Sequence, residues 1–395
     1  MRNGEIAIHC AHTRCRSKVQ NMTTSVTKEK TRPAVMLVSV APIYGGAESY
    51  YAKLTRILLT EYQVVAVVCC KRLGEELRTL GVEVECTDHK FGYSSLGRYF
   101  FALKACRRMI RRHRPAIAHL NGQPESYLAT FLRLMGLRLM TTRHTPFTDL
   151  YLREGFRLPV VFKRWMVLFS LSMVQKTICV SQLLRRQLVQ YLPEGRLIFI
   201  PTWVADEFLD AYERPSPSTP LKVLFVGRVV RNKGIFDVIE AVRRCPQVHL
   251  TVIGEGDERK AAQELANGLQ VTFVGFQRDC MPSYRSSDLL VFSSTEGFEG
   301  LPQVPLEAMA MGLPCLASDI SSILEIDAES GALATYRQGD IGDLVQNLFK
   351  FAETPTTLVE LGRTGRLEIE KRFTEAAVAG AYLEQFRSMA ERLPN

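Results

Sequence analysis

The sequence predicts an α/β protein in which two doubly wound parallel-sheet domains face each other across a cleft. From residue 34 onwards, short apolar runs alternate with segments of helical periodicity, a pattern that is typical of a parallel sheet covered by helices on both faces. The alternation breaks once, at a proline-rich stretch, and then resumes. At 395 residues the chain is long enough for two domains, each with its own hydrophobic core.

The residues ahead of the first strand fit neither domain. Residues 1–33 mix Lys and Arg with Ser and Thr and lack the apolar segment of a secretory signal. We interpret 1–33 as a disordered basic tail, within which Met22 offers an alternative translation start.

The first domain is predicted over 34–211. Its seven predicted strands are apolar runs at 34–42, 63–70, 82–86, 116–120, 137–143, 177–180 and 197–200. The stretch YERPSPSTP at 212–220 holds three prolines and two serines in nine residues and is interpreted as a linker.

The second domain is predicted over 221–372. Its six predicted strands lie at 221–227, 248–254, 271–275, 288–294, 314–318 and 331–335, and helical stretches run from Leu344 towards the end of the chain. Ligands bind at the carboxyl ends of strands in sheets of this kind, so the cleft between the two domains is the expected active site.

Two loops that follow strands carry candidate anion-binding residues. In GGAE (45–48), Gly45 and Gly46 let a ligand approach the backbone at a helix amino terminus, although an ordinary strand–helix turn also explains this segment. In VGRVVRNKG (226–234), Arg228 and Lys233 are suited to neutralise a diphosphate, which is otherwise a task for a metal ion. A solvated basic loop is the alternative interpretation of the second segment.

The most informative segment is STEGFEGLPQVPLEAMAMGLPCLAS (294–318). Glu299 and Glu307 are separated by seven residues, and Pro305 suits the first turn of a helix. The N–H groups of that turn, with those of Gly300 and Leu301, can face phosphate or sugar oxygens. Glu307 is also explained as a first-turn carboxylate favoured by the helix dipole, but Glu299 lies outside the helix.

Taken together and in this order, these segments resemble the retaining glycosyltransferases of the GT-B fold, in the large group called family four. The resemblance runs from about Val35 to the C-terminus. Besides the segments above, it includes TTRHTPF (141–147), CVSQLLRRQL (179–188) and GEGDER (254–259).

The resemblance implies roles for the matching residues. Arg228 and Lys233 would hold the donor diphosphate, and Glu307 would bind the ribose hydroxyls. Glu299 would bind the transferred sugar, and His144 would lie near the reacting centre. Gly45 and Gly46 would lie against the phosphates, Gly275 and Phe276 near the base, and the last helix, within 373–395, would cross back onto the first domain.

Three positions leave alternatives open. The family usually has a sequence close to PNGVD where this chain has PTWVAD (201–206), which puts the contacts expected there in doubt. Glu296 is a rival to Glu299, and the spacing to Glu307 favours Glu299. His119 also ends a predicted strand, and we expect it to be a structural histidine.

The resemblance implies transfer of a sugar from a nucleotide-diphosphate sugar, UDP- or GDP-linked, to a glycan or lipid-linked acceptor of cell-surface polysaccharide or glycolipid synthesis. No DxD motif occurs, so we expect no metal and no other cofactor, and we expect no nucleic-acid partner. The alternatives are an inactive nucleotide-sugar-binding scaffold, or a hydrolase or epimerase on the same fold. A dehydrogenase is disfavoured because GEGDER lacks the third glycine of the dinucleotide fingerprint.

Cysteine usage and charge suggest a location. The ten cysteines show no zinc spacing and fit a reduced, cytoplasmic compartment.

The charge is unevenly distributed along the chain. Residues 1–214 carry 32 Lys and Arg against 17 Asp and Glu, whereas the remainder carries 18 against 24. Within 94–113, five cations share one helical arc with Phe100 and Phe101, which predicts peripheral binding to the inner face of an anionic membrane unless both rings pack under a loop. The five are Lys104, Arg107, Arg108, Arg111 and Arg112.

Overall fold

A computed structural model describes most of the chain beyond the predicted tail. The described residues are 32–87, 96–122, 125, 127–146, 158–210, 212, 214–327 and 330–391. The side chains of residue 96 and of 158–164 are not described. The tail predicted at 1–33 lies outside the described residues except for its last two positions.

The first sheet has seven parallel strands in the order β3-β2-β1-β4-β5-β6-β7. These are β1 (Ala34–Ser39), β2 (Gln63–Val68), β3 (Glu83–Cys86), β4 (Ile117–Leu120), β5 (Arg138–Arg143), β6 (Lys176–Cys179) and β7 (Leu197–Phe199). All seven predicted strands are confirmed, and β1 ends three residues earlier than predicted. In the register, Leu37 of β1 pairs with Ala66 and His119.

The helices of the first domain cover both faces of this sheet. They are α1 (Gly46–Leu59), α2 (Lys71–Thr79), α3 (Leu96–His113), α4 (Ala129–Leu134), α5 (Leu158–Ser172) and α6 (Gln182–Leu188). Alternate residues of a strand point to opposite faces, so Val35 and Leu37 pack with α1 and α2, whereas Met36 and Val38 pack with α3 and α4. No helix in the described part of the chain is both long and apolar enough to cross a membrane.

The second sheet has six parallel strands in the order β10-β9-β8-β11-β12-β13. These are β8 (Leu221–Val226), β9 (Val248–Ile253), β10 (Val271–Gly275), β11 (Leu289–Phe292), β12 (Cys315–Ser318) and β13 (Ala334–Tyr336). Its helices are α7 (Ile235–Arg244), α8 (Arg259–Leu265), α9 (Met281–Ser286), α10 (Gln303–Ala310), α11 (Ser321–Asp327), α12 (Ile341–Glu353) and α13 (Thr356–Arg372). The six predicted strands are confirmed, and two separate apolar cores occupy the two faces of the sheet.

The chain crosses between the two sheets twice. Residues 200–205 lead from β7 towards the second sheet, and α14 (Glu375–Ala390) follows the return. The two crossings run side by side, because the Val204 N–H donates to the Phe373 carbonyl at 2.9 Å. The buried side chains of α14 (Val378, Tyr382, Phe386 and Met389) belong to the core of the first sheet.

Candidate active site

A cleft of about 580 Å³ lies between the carboxyl ends of the two sheets. The first domain contributes the start of α1 and part of α2. The second domain contributes the loop after β10 and the start of α10, and the crossing contributes Ala205, Glu207 and Phe208. Of the residues predicted to bind the donor, Gly45, Gly46, Phe276 and Glu307 line this cleft.

The amino terminus of α1 opens into the cleft through the two predicted glycines. Gly45 is the N-cap residue in an extended conformation, and its N–H donates to the Glu48 carboxylate at 3.0 Å. Burial raises the pKa of Glu48 to about 7, although backbone hydrogen bonds and Ser39 oppose the shift. Gly46 faces the second domain, since a Cβ placed there would lie 3.8 Å from Gln303 Cγ. Helix N–H groups are therefore presented where an anion can reach them.

Glu307 and Lys53 both line the cleft and influence each other electrostatically. Glu307, on α10, accepts a hydrogen bond from the Tyr284 hydroxyl at 2.9 Å. Its pKa is raised by burial and lowered by Tyr284 and by the charge of Lys53. Lys53, on α1, donates to Gln303 Oε1 at 2.8 Å and to the Trp203 carbonyl. Burial lowers the pKa of Lys53 to about 8, and the attraction of Glu307 opposes this shift.

Sequence reasoning did not identify Lys53, although the sequence carries a signal. Lys53 lies on the same face of α1 as Tyr50, Leu54 and Ile57, all of which are buried in the core. A lysine on the apolar face of a helix needs a partner, because an isolated buried charge is costly. Here the partners come from the crossing and the second domain, which helical periodicity cannot predict.

Lys233 and Glu299 form an ion pair in the second domain. The Lys233 ammonium contacts Glu299 Oε1, which also accepts a hydrogen bond from the Ser294 hydroxyl at 2.8 Å. Only 20% of the Lys233 side chain and 12% of the Glu299 side chain are exposed. The loop is tight because Gly234 has φ +69°, and a Cβ there would lie 2.0 Å from the Ser293 carbonyl oxygen. Lys233 and Glu299, for which the sequence predicted separate roles, thus form an ion pair with each other.

The structure favours Glu299 over Glu296 as the carboxylate facing the basic residues. The Glu296 carboxylate accepts the Ser321 N–H at 2.6 Å, at the first residue of α11, and its own N–H donates to Gln338. Glu296 therefore stabilises the start of α11. Arg228, which follows β8, has an exposed side chain and is not a lining residue of the cleft.

His144 follows β5 and has a defined tautomer. The Asn121 amide nitrogen donates to the Ala47 carbonyl at 2.9 Å, which orients the amide, so Asn121 Oδ1 must accept from His144 Nε2 at 3.0 Å. Burial lowers the pKa of His144 to about 3, with further lowering by the charges of Arg143 and Lys53. The imidazole is therefore neutral near pH 7, with Nδ1 as an acceptor.

Gly300 brings the Glu299 loop against His144. A Cβ at Gly300 would lie 2.1 Å from the His144 carbonyl oxygen, so no other residue fits without movement of the backbone. Leu301, next to it, packs against apolar clusters of both domains. This contact joins the carboxyl end of β5 to the loop before α10.

Three other residues considered in the sequence analysis are Gly275, Phe276 and His119. Gly275 ends β10 with φ +85°, and the following Phe276 is 63% exposed at the wall of the cleft. His119 is fully buried, with Nδ1 2.9 Å from the Tyr51 hydroxyl and Nε2 2.9 Å from the Thr142 hydroxyl. It is the structural histidine that we expected.

The chain is similar to known proteins in both sequence and structure. Two family models match the chain, Glycosyltransferase Family 4 over residues 44–208 and Glycosyl transferases group 1 over 220–353. The lipopolysaccharide core biosynthesis glycosyltransferase LpsE of Rhizobium meliloti (strain 1021) is 30% identical over 186 residues, which make up 46% of this chain and 54% of that protein. The chain spans about half the length of the curated relatives it matches.

Solved structures share the two-domain fold. Anabaena HepE in complex with UDP and glucose has a TM-score of 0.75 at 17% identity, over 90% of this chain and 100% of that one. Sucrose-phosphate synthase from Thermosynechococcus elongatus has a TM-score of 0.76 at 18% identity, over 92% of this chain and 100% of that one.

Proposed function

The chain belongs to the group 1 glycosyltransferases of the GT-B fold, and on that basis we propose that it moves a sugar, with retention of anomeric configuration, from a nucleotide-diphosphate sugar to a glycan or lipid-linked acceptor. One observation carries this proposal: a helix amino terminus of the first domain faces the carboxylate Glu307 of the second domain across one cleft. The similarity to LpsE, a lipopolysaccharide core biosynthesis glycosyltransferase, supports cell-surface polysaccharide or glycolipid synthesis as the setting.

The donor diphosphate has two sources of positive potential in this proposal. One is the start of α1, at Gly45 and Gly46. The other is Lys233 with Arg228, once the diphosphate takes the place of Glu299 beside Lys233. Glu299 is then free to accept hydrogen bonds from the hydroxyls of the transferred sugar, and Glu307 holds the ribose. In this proposal Gly275 and Phe276 bind the base, and Phe276 lines the cleft.

The transfer step rearranges two bonds and one proton. The bond from the anomeric carbon to the diphosphate oxygen breaks, and the acceptor oxygen bonds to that carbon on the same face. The acceptor hydroxyl proton goes to an oxygen of the leaving diphosphate. Cationic side chains and N–H groups stabilise the negative charge that develops on the diphosphate, and neutral His144 accepts a hydrogen bond from the sugar through Nδ1.

A panel of nucleotide sugars tests the proposal. UDP-, GDP- and ADP-sugars are first screened by thermal shift, because a ligand that binds only the folded state raises its stability. Hits are then assayed for transfer to glycan and lipid acceptors, with and without excess EDTA. We expect a UDP- or GDP-sugar to be used, with turnover unchanged by EDTA, because Arg228 and Lys233 act where a metal would. Donor binding without turnover would favour the scaffold alternative, and turnover that requires added Mg²⁺ or Mn²⁺ would contradict metal independence.

We further propose that α3 contacts an anionic membrane at the cytoplasmic face. Two of its five cations are engaged at the protein surface, since Arg108 pairs with Glu85 at 2.9 Å and Arg112 with Glu83 at 2.8 Å. Both side chains are nevertheless largely exposed, so all five cations face solvent on this helix. Phe100 is 56% exposed with the Lys104 ammonium 4.7 Å from its ring centre, an arrangement that disfavours packing under a loop.

Neighbouring helices extend this surface with further exposed apolar side chains. α3 and α4 cover the same face of the first sheet, and α5 packs against α4. Among the side chains described on α4 and α5, the large exposed apolar ones are Phe131, Leu134, Trp165 and Phe169. Aromatic and basic groups on one face suit the headgroup region of a membrane, which supports a lipid-linked acceptor.

A further inference from the structure

Trp203 lies in the stretch where this chain departs from the family pattern, in the crossing between the domains. Its side chain has no exposed surface and belongs to the core of the first domain. Its carbonyl accepts a hydrogen bond from the Lys53 ammonium, which lies 5.1 Å from the centre of the indole ring. The neighbouring Val204 is tied to the second crossing through Phe373. The indole is therefore fixed from several sides.

A continuous series of aromatic rings leads from this crossing to the reacting centre. The rings of Tyr382 and Trp203 are 5.1 Å apart, those of Trp203 and Tyr50 5.6 Å, and those of Tyr50 and His144 4.7 Å. The last two contacts are edge-on, at 71° and 69°, which is a favourable arrangement for aromatic pairs. We propose that Trp203 is a positioning residue for His144, acting through the ring of Tyr50.

The far end of Tyr50 is anchored as well. Its hydroxyl lies 2.8 Å from Thr142 Oγ1, which in turn lies 2.9 Å from His119 Nε2. With the hydroxyl held there, the ring of Tyr50 contacts Trp203 and His144, both in edge-on geometry. In the proposed role, the contact with Trp203 keeps the edge of Tyr50 against His144.

Besides Tyr50, the ring of His144 has Asn121 and Gly122 as neighbours. The hydrogen bond to Asn121 sets the tautomer, and Gly300 packs against the backbone of His144 rather than its ring. An indole at this position supplies support that the glycine of the usual PNGVD pattern cannot. A displacement of about 1 Å at a reacting centre costs up to roughly 100-fold in rate. This inference rests on the proposed function, since it takes His144 to act on the donor sugar.

Substitutions at Trp203 test the inference against a matched control in the same core. Trp203→Leu should lower kcat roughly 10- to 100-fold while the donor Kd stays within about twofold, and Trp203→Phe should restore most of the loss. Tyr62→Leu removes another buried ring of this core, away from Tyr50, and should leave the kcat of the folded enzyme unchanged. Circular dichroism at the assay temperature checks that each variant is folded.

A measurement without substrate separates failure of this inference from failure of the proposed function. In ¹⁵N-histidine spectra, with the His144 signals assigned through His144→Gln, the native protein should show a neutral ring protonated at Nε2. Trp203→Leu should shift these signals or mix the tautomers, whereas Tyr62→Leu should not. The inference is overturned if Trp203→Leu leaves the His144 signals unchanged, or if both leucine variants lower kcat equally.

Discussion

The carboxylate of Glu299 and the ammonium of Lys233 neutralise each other in a largely buried position. Separating such a pair without a replacement partner leaves an uncompensated buried charge, which is strongly unfavourable. An incoming diphosphate supplies that replacement for Lys233, so donor binding and release of Glu299 are coupled in the proposed mechanism. In the proposed mechanism the pair thus keeps both charges neutralised within the second domain until the donor arrives.

This coupling predicts different effects for the two rival glutamates. Glu299→Gln should lower turnover by at least about tenfold, because the amide binds the sugar hydroxyls more weakly than a carboxylate does. Glu296→Gln should change turnover little and instead lower the melting temperature, because Glu296 accepts the Ser321 N–H at the start of α11. Steady-state kinetics with the donor identified in the panel, together with thermal melts, measure both effects. A larger loss of turnover in Glu296→Gln would reverse the assignment.

Individual side chains show where sequence reasoning reached its limit. The glycines, the basic loop and the glutamate pair were predicted because each requires a residue type at a fixed position relative to a strand or helix. The partners of His144 and Glu307 were not, because Asn121 and Tyr284 are distant from them in the chain. Such pairs depend on how strands and domains meet, which local periodicity does not encode.

At the level of elements, most strands were predictable because they are short apolar runs in parallel sheets, with the edge strand β3 (Glu83–Cys86) as an exception. A strand buried on both faces has no polar alternation, and its ends are where polar or glycine residues begin. The end of β1 and the start of β13 were each predicted three residues away from the observed boundary. Beyond β1, Val40 and the residues after it are apolar, yet the Val40 N–H donates to the Glu125 carboxylate at 2.6 Å instead of continuing the sheet. The Glu125 side chain, which is distant from β1 in the sequence, therefore determines where β1 ends.

The proposed membrane contact of the basic helix α3 can be tested by reversing the charge of its exposed cations. Arg107 and Arg111 have exposed side chains, and reversing both to Glu should abolish sedimentation with anionic vesicles at low salt. Each cation near such a surface contributes about 1 kcal/mol, which falls off over a Debye length of roughly 8–10 Å. Donor binding should be unchanged, since neither residue lines the cleft.

A matched control carries the same change in charge on the second domain. Lys260→Glu with Lys350→Glu alters two exposed lysines away from α3, and vesicle binding should persist. If the α3 variant still sediments, or if the control loses binding to the same extent, the membrane surface does not include α3.

At the level of the whole molecule, Lys53 links the two domains through a group whose charge depends on pH. Its pKa in the folded state is about 8, below the ordinary value of 10.5, so the unfolded chain holds more protons between these values. Stability from this group therefore rises as the pH increases from 8 to 10.5, by up to about 3 kcal/mol in total. Below pH 8 the buried ammonium opposes folding by a similar amount.

A comparison of the wild type with Lys53→Met tests whether the contribution of Lys53 to stability rises with pH. The unfolding free energy of the wild type, relative to the variant, should increase between pH 8 and pH 10 in urea titrations. Differences between the two proteins cancel the contributions of other titrating groups. A constant or falling difference over that range would mean that Lys53 keeps an ordinary pKa in the folded protein.

The two side-by-side crossings make the second domain a long insertion within the first. The chain leaves the first core at about residue 200 and returns to it only with α14, which contributes Tyr382 and Phe386 to that core. During synthesis, the second domain is therefore complete before the first one can close. Loss of the last 20 or so described residues would damage the domain that was made first and leave the later one whole. We therefore expect the domain that is translated first to be the one that completes its fold last.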